Sequence, residues 1–176
     1  MSKVIAFGAS NSSTSINKQL AAWAANQLDS DIEILDLNDF EMPIYSQDRE
    51  KADGIHEKAM VFKNKLRTAD GVIISFAEHN GSFSTAFKNV FDWASRVEKS
   101  MWLDKPMLLM ATSPGARGGA TVLAAASNGF PHQAGKVVGQ FSLPSFYDNF
   151  SSDAGIKDAE LANTFADQLN NFRSAL

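Results

Sequence analysis

The chain has 176 residues, 44% of them hydrophobic, which is room for one domain with a sizeable core. Its 16 basic and 20 acidic residues leave a formal charge of −4 with no basic block or stripe, which argues against nucleic acid as a partner. The absence of cysteine excludes disulfides, thiolate nucleophiles and Cys-based metal sites, and fits a cytoplasmic setting.

The N-terminal run Met1–Phe7 is too short and too soon interrupted for a signal peptide. No apolar stretch approaches the roughly 20 residues that span a bilayer, so a soluble chain with no membrane partner is expected. Val4–Phe7 is β-favouring and reads as the first strand, followed by the small polar loop Gly8–Ser15. Ile16, Leu20, Trp23, Ala24 and Leu28 are spaced for one face of a helix over Ile16–Leu28. Ile32, Ile34 and Leu35 mark a second strand. Leu37–Gly54 is a long connection of the kind that forms lids or interfaces. A helix over Ile55–Leu66 leads to the third strand, Val72–Phe76. From Ser82 onward, Phe83, Phe87, Val90, Phe91, Ala94 and Val97 give the next helix a broad apolar arc. Lys105-Pro106 enters a fourth strand at Met107–Met110, and a helix is expected over Gly118–Ala126. Val137, Val138 and Phe141 mark the fifth strand, and Ala159–Phe172 closes the chain as a helix.

Strand and helix alternate five times, with no repeat, low-complexity segment or linker, so residues 1–176 are expected to form a single domain. This alternation implies an α/β three-layer sandwich, a parallel sheet covered by helices on both faces. In the flavodoxin-like order 2-1-3-4-5, strands one, three and four are neighbours, and a crevice opens at their carboxyl ends. Three unusual loops follow those same strands.

The first loop, Ser10–Asn17, is rich in hydroxyls and amides and opens a helix. A helix N-terminus offers unpaired N–H groups and a partial positive charge, both suited to phosphate. Ser10, Ser12, Ser13, Thr14 and Ser15 can add side-chain donors, with Ile16 and Asn17 at the helix start. The same residues also suit an ordinary helix cap. The loop lacks the Gly-Lys-Ser/Thr of a Walker A motif, and Gly8 has no glycine partners at dinucleotide-fingerprint spacing. The second loop, Glu78–Ser82, holds Asn80-Gly81. Gly81 can take a positive φ and admit a flat ligand close to the backbone, or serve an ordinary turn before a cap at Ser82. The third loop sets Ser113, Gly115, Gly118 and Gly119 around Arg117. Its N–H groups can form an anion nest, and Arg117 can meet a negative ring edge or a phosphate, or stand solvated at the surface. Of the three histidines, His56 and His132 read as surface residues and only His79 falls in a candidate loop; their scatter gives no metal spacing.

Together these motifs resemble those of the NADPH-dependent FMN reductase family, flavodoxin-like proteins that include quinone, azo and chromate reductases. Ser10, Ser15 and Asn17 fall on the two serines and the asparagine of its phosphate loop. Glu78, Asn80, Gly81, Ser82, Lys88, Asn89, Asp92 and Trp93 agree with its flavin loop and the segment that follows. Lys105-Pro106 and the run Ser113–Gly119 agree as well. Ser12 stands where the family has Arg, which removes a charge-assisted contact to phosphate. His79 replaces Tyr, Ala77 replaces Pro, and Gly8 lies one residue further from its Ser than usual.

The resemblance implies non-covalent FMN. Its phosphate would lie on Ser10, Ser12, Ser15, Ile16 and Asn17, and its ring between Glu78, His79, Asn80, Gly81 and Ser82 on one side and Ser113, Gly115, Arg117, Gly118 and Gly119 on the other. Hydride would pass from NADPH or NADH to the flavin and on to a small-molecule electron acceptor: a quinone, azo dye, metal oxyanion or free flavin. The flavin carries the chemistry, so no catalytic side chain is expected. The resemblance also implies a homodimer or homotetramer; the apolar arc after Ser82, with Trp93, suits a subunit contact or the core. The alternatives are a flavodoxin-type electron-transfer module and a non-enzymatic flavin-binding or regulatory protein.

Overall fold

The computed structural model describes residues 1–176. Its first half runs β1 (Lys3–Ala9), α1 (Ile16–Ala25), β2 (Asp31–Ile34), a 3-10 turn (Leu37–Phe40), α2 (Gln47–Asp53), α3 (Glu57–Thr68) and β3 (Gly71–Phe76). A small hairpin of β4 (Glu78–His79) and β5 (Ser82–Phe83) precedes α4 (Thr85–Ala94), β6 (Lys105–Thr112), α5 (Ala120–Gly129) and a second 3-10 turn (Phe130–Gln133). The chain ends with β7 (Gly135–Leu143), α6 (Phe146–Asn149), β8 (Phe150–Ser151), β9 (Gly155–Ile156) and α7 (Ala159–Ala175).

The sheet has five strands in the order β2-β1-β3-β6-β7, all neighbours parallel. Its long strands thus take the order 2-1-3-4-5, the flavodoxin-like arrangement. Residues Val4–Ala9 of β1 and all of β3 are buried, as strands covered on both faces must be. Alternate residues serve opposite faces. Ile5, Phe7, Ile74 and Leu109 pack with Phe62, Phe87 and Val122 of α3, α4 and α5. Val4, Ala6, Ile73 and Leu108 pack with Leu20, Phe165 and Phe172 of α1 and α7.

Several expectations shift. Ser82 lies in the hairpin and does not cap the next helix; Ser84 does, accepting the Phe87 N–H at 3.2 Å. Helix α1 stops at Ala25, short of Leu28. The apolar arc of α4 faces inward, with Phe87, Val90, Trp93 and Ala94 buried, so the core accounts for it. Trp93 takes the core role and donates its indole N–H to the Pro43 carbonyl at 2.8 Å. The long connection contains the 3-10 turn and α2, and no residue of α2 is buried. Asn89 docks this connection from α4: its Oδ1 accepts the Tyr45 N–H at 2.9 Å and its Nδ2 donates to the Met42 carbonyl at 2.9 Å. No helix is long and apolar enough to cross a membrane.

Close approach of α1 to the end of β1 requires glycine at position 8. A Cβ there would lie 2.3 Å from the Lys18 nitrogen and 2.6 Å from its Cα. Gly8→Ala is expected to cost about 1–3 kcal/mol through overpacking against backbone that has no side-chain end to yield; urea unfolding measures it. At the sheet edge, Glu33 is bonded by Lys3 and Lys65, which hold its carboxyl below the usual 4.5. A carboxylate depressed in the folded state stabilises fully above its unfolded pKa and loses that contribution as pH falls through the folded one. Urea midpoints measured from pH 6 down to about pH 3 are expected to fall less in Glu33→Gln than in the parent.

Candidate cofactor site

Loops leave the carboxyl ends of β1, β3 and β6, which lie side by side, and three polar side chains join them. Asn17, buried in the first turn of α1, makes the central junction. Its Oδ1 accepts from the Ser75 hydroxyl at 2.7 Å and from the Thr112 N–H at 3.0 Å, while its Nδ2 donates to the Thr112 carbonyl at 3.1 Å. One side-chain amide therefore links α1 to the ends of β3 and β6. Ser84, also buried, donates its hydroxyl to the Ala9 carbonyl at 2.8 Å, fixing α4 to the end of β1. Glu78 Oε2 accepts the Val122 N–H at 2.9 Å, tying the second loop to α5 beyond the third.

These junctions frame a cleft of about 250 Å³. The first loop lines it with Ser10, Ser12, Thr14, Ser15, Ile16 and Asn17, the second with Ala77, Glu78 and His79, and the third with Thr112, Ser113 and Pro114. Tyr147, two-thirds exposed, adds a rim from beyond β7. Ser15 caps α1 by accepting the Lys18 N–H at 3.1 Å. Ser10 Oγ accepts the Ser12 N–H at 3.2 Å, and Ser12 Oγ the Thr14 N–H at 3.3 Å. The N–H groups of Ile16 and Asn17 find no acceptor within the chain. Orphan amides at a helix start, ringed by hydroxyls, are the donor set a phosphate takes. No Lys or Arg lines the cleft. Lys18 is paired with Asp36, whose carboxyl this ammonium and the Asn38 N–H hold below the usual range.

The remaining expected residues fall outside the lining. Asn80 (φ 52°) and Gly81 (φ 73°) form the two-residue turn of the β4–β5 hairpin, where both central positions need positive φ. With Ser82 they are exposed, and a Cβ on Gly81 would meet nothing within 4 Å. Gly118 and Gly119 serve packing: a Cβ would lie 2.5 Å from Ser142 Oγ at the first and 2.9 Å from Ala111 Cβ at the second. The Gly118 N–H is spent inside the loop on the Gly115 carbonyl at 3.2 Å, so it does not join an anion nest. Gly115, exposed, also accepts the Ser145 N–H at 3.0 Å. Arg117, in the loop before α5, donates to Thr121 Oγ1 in the first turn of that helix at 2.8 Å. Thr112 and Tyr147 were not singled out by the sequence. Tyr147 carried a usable signal, an aromatic just past the end of a parallel strand. His56 caps α3 by accepting the Lys58 N–H at 3.1 Å, and His132 is exposed.

A second cavity of about 240 Å³ adjoins the first. Its floor is Leu37, Phe40, Met42 and Val90, and Asn11, Asn38, Glu41 and Thr85 contribute polar groups. His79 lines both cavities and is the only residue that does.

A doubly wound parallel sheet with a phosphate-type helix start at its topological switch point defines a flavodoxin-like, mononucleotide-binding class of protein. Residues 2–148 match the model of the NADPH-dependent FMN reductase family, and the chain belongs to that family. It is 39% identical over 105 residues to a 2-hydroxy-1,4-benzoquinone reductase of a Burkholderia species, covering 59% of this chain and 56% of that protein. It is 34% identical over 80 residues to a quinone reductase of Escherichia coli K12, covering 46% and 43%. The matched segments thus span about half the length of these curated relatives. In fold it is similar to FerB, a flavoenzyme NAD(P)H:(acceptor) oxidoreductase from Paracoccus denitrificans. That likeness has a TM-score of 0.78 at 23% identity and covers 99% of this chain and 96% of that one.

Asn17→Ala leaves both backbone groups of Thr112 without their partner. It is expected to cost roughly 2–4 kcal/mol and to loosen α1 from the sheet; urea unfolding with amide exchange across residues 15–20 checks both.

Proposed function

We propose that this chain is an NAD(P)H-dependent FMN oxidoreductase that passes electrons to quinone-like or azo acceptors. The observation that carries the reading is the cleft itself. Unpaired amides of Ile16 and Asn17, hydroxyls of Ser12 and Thr14, and the edges of the second and third loops converge on one side of the switch point. Family membership and the names of the quinone reductase relatives support the same chemistry.

On this reading Ile16 and Asn17 hold the FMN phosphate by backbone N–H, with Ser10, Ser12 and Ser15 shaping the loop around it. Glu78, His79, Ser113 and Pro114 bound the part of the cleft left for the rest of the cofactor. When bound, the flavin supplies the two-electron redox step between nicotinamide and acceptor. Tyr147 offers an exposed aromatic face at the rim, able to cover a planar group. His79 sets the wall toward the second cavity, so the acceptor range depends on it and on the connection at Leu37–Ile44. A homodimer or homotetramer is part of the reading, supported by Ile44, which is 69% exposed beside the second cavity. We also infer that residues 1–176 act as a single domain, supported by core packing on both faces of one sheet.

The purified protein titrated with FMN is expected to become yellow, to bleach with NADPH or NADH under anaerobic conditions, and to recolour with a benzoquinone. No saturable FMN uptake would sink the reading, and uptake without bleaching would favour the electron-transfer module. Ser12→Arg adds a cation to a site that has none. It is expected to tighten FMN by roughly tenfold, about 1.4 kcal/mol, measured by quenching of flavin fluorescence.

A further inference from the structure

Helix α5 has no cap of its own. Its N-cap residue is Gly119, which makes no side-chain cap bond, whereas α1, α3, α4 and α7 are capped by Ser15, His56, Ser84 and Asp158. Position 119 cannot carry a capping side chain. Its φ is 72°, and a Cβ there would sit 2.9 Å from Ala111 Cβ and 3.7 Å from the Phe76 carbonyl. The missing acceptor comes from 44 residues away: Glu78 Oε2 takes the Val122 N–H at 2.9 Å. Val122 is the third residue of α5, the position whose N–H an N-cap side chain ordinarily satisfies.

We propose that Glu78 is a positioning residue for the cofactor cleft, its carboxylate capping α5 from the second loop and so fixing the second and third loops at one spacing. The inference rests on the FMN reading only for its ligand arm. Glu78 is itself part of the cleft wall and half-buried, so the same side chain that lines the site also sets its width. The hairpin carries the constraint onward. Glu78 pairs with Phe83 and His79 with Ser82, and Phe83 packs on Phe76 and Phe130, with centroids 5.6 and 6.3 Å away. A shift of Glu78 therefore moves His79, the wall between the two cavities. The carboxylate also places a negative charge at the positive end of α5. Helices α1, α4 and α5 all start at this end of the sheet, and Ser15, Ser84 and Glu78 respectively take the third N–H of each. Helix α1, with Ile16 and Asn17 unpaired, is left to take an external anion.

The test compares Glu78→Ala with Glu78→Gln, which keeps an acceptor oxygen and loses the charge. Two readouts are taken on the full chain: hydrogen exchange of the Val122 amide without ligand, and FMN affinity by fluorescence titration. In Glu78→Ala the Val122 amide is expected to exchange roughly tenfold faster, and FMN to bind about five- to tenfold more weakly, the equilibrium equivalent of one lost cap. Glu78→Gln is expected to recover most of both effects. Unchanged Val122 exchange in Glu78→Ala would overturn the cap. Faster exchange with FMN affinity equal to the parent's, or a Gln variant no better than Ala, would overturn the positioning role. A parent protein that takes up no FMN would instead overturn the function proposed above, and the exchange arm alone would then support or overturn the Glu78 junction.

Discussion

The site depends on one side-chain amide standing in for a stretch of β-sheet. Parallel strands that stop together leave backbone donors and acceptors at their ends, and in a buried sheet these must be answered. Asn17 presents an oxygen and an N–H in the same relation as a peptide group, and it meets both the N–H and the carbonyl of Thr112. Its oxygen takes the Ser75 hydroxyl as well. The first turn of α1 is thereby bonded to the ends of β3 and β6 as if it were part of the ladder. The unpaired amides beside Asn17 inherit that placement. A donor set held this way is aimed before any ligand arrives and gives up little freedom when one does.

The same economy recurs around the rim of the sheet. Thr112 Oγ1 donates to the Leu143 carbonyl at 2.7 Å, joining the ends of β6 and β7, and Ser142 Oγ donates to the Gly118 carbonyl at 3.0 Å. Small hydroxyl residues finish hydrogen bonds that a tapering sheet leaves open, and glycines supply the close approach those bonds need. Gly8 admits α1 against β1; Gly118 and Gly119 admit the third loop against Ser142 and Ala111. The polar, glycine-rich composition of the three loops thus has two causes. Some residues face the cleft, and others close the end of the sheet so that the cleft keeps its shape.

That double cause marks how much of the site was legible in the sequence. Strands β1, β3 and β6 were readable because they are apolar on both faces, and alternation with helices made them parallel; their order in the sheet was assumed from the flavodoxin-like pattern and came from no local signal. The three loops were readable as a group on that pattern. Their internal division of labour was not. Asn17 bonds across 95 residues and Glu78 across 44, and no local pattern separates such a junction from a ligand contact. Ser82 and Ser84 are both plausible caps by type. The choice fell to Ser84 because Asn80-Gly81 closes a two-residue hairpin whose arms consume Ser82 and Phe83. Helix α2 went unread because Gln47–Asp53 buries nothing and so carries no apolar period. It is held instead by Tyr45, Glu50 and Arg96: the phenol donates to Glu50 at 2.8 Å and Arg96 Nε donates to the same carboxylate at 3.0 Å.

Charge decides how the cleft meets an anion. A cleft that offers anions only neutral donors gains less from long-range attraction and more from direction than one built around a cation. In this chain the nearby cation is withdrawn: Lys18, one residue past Asn17, turns to Asp36 at the foot of the 3-10 turn. The one carboxylate in the cleft wall, Glu78, is bonded to the start of α5. Glu78 in the cleft wall and Lys18 beside the first loop are therefore both occupied by the scaffold, as is Arg117 on Thr121, and what faces the cleft is chiefly fixed backbone dipoles and hydroxyls. Such dipoles cost no reorganisation when charge appears beside them. A redox cofactor whose charge changes as it works is the kind of group for which that arrangement matters.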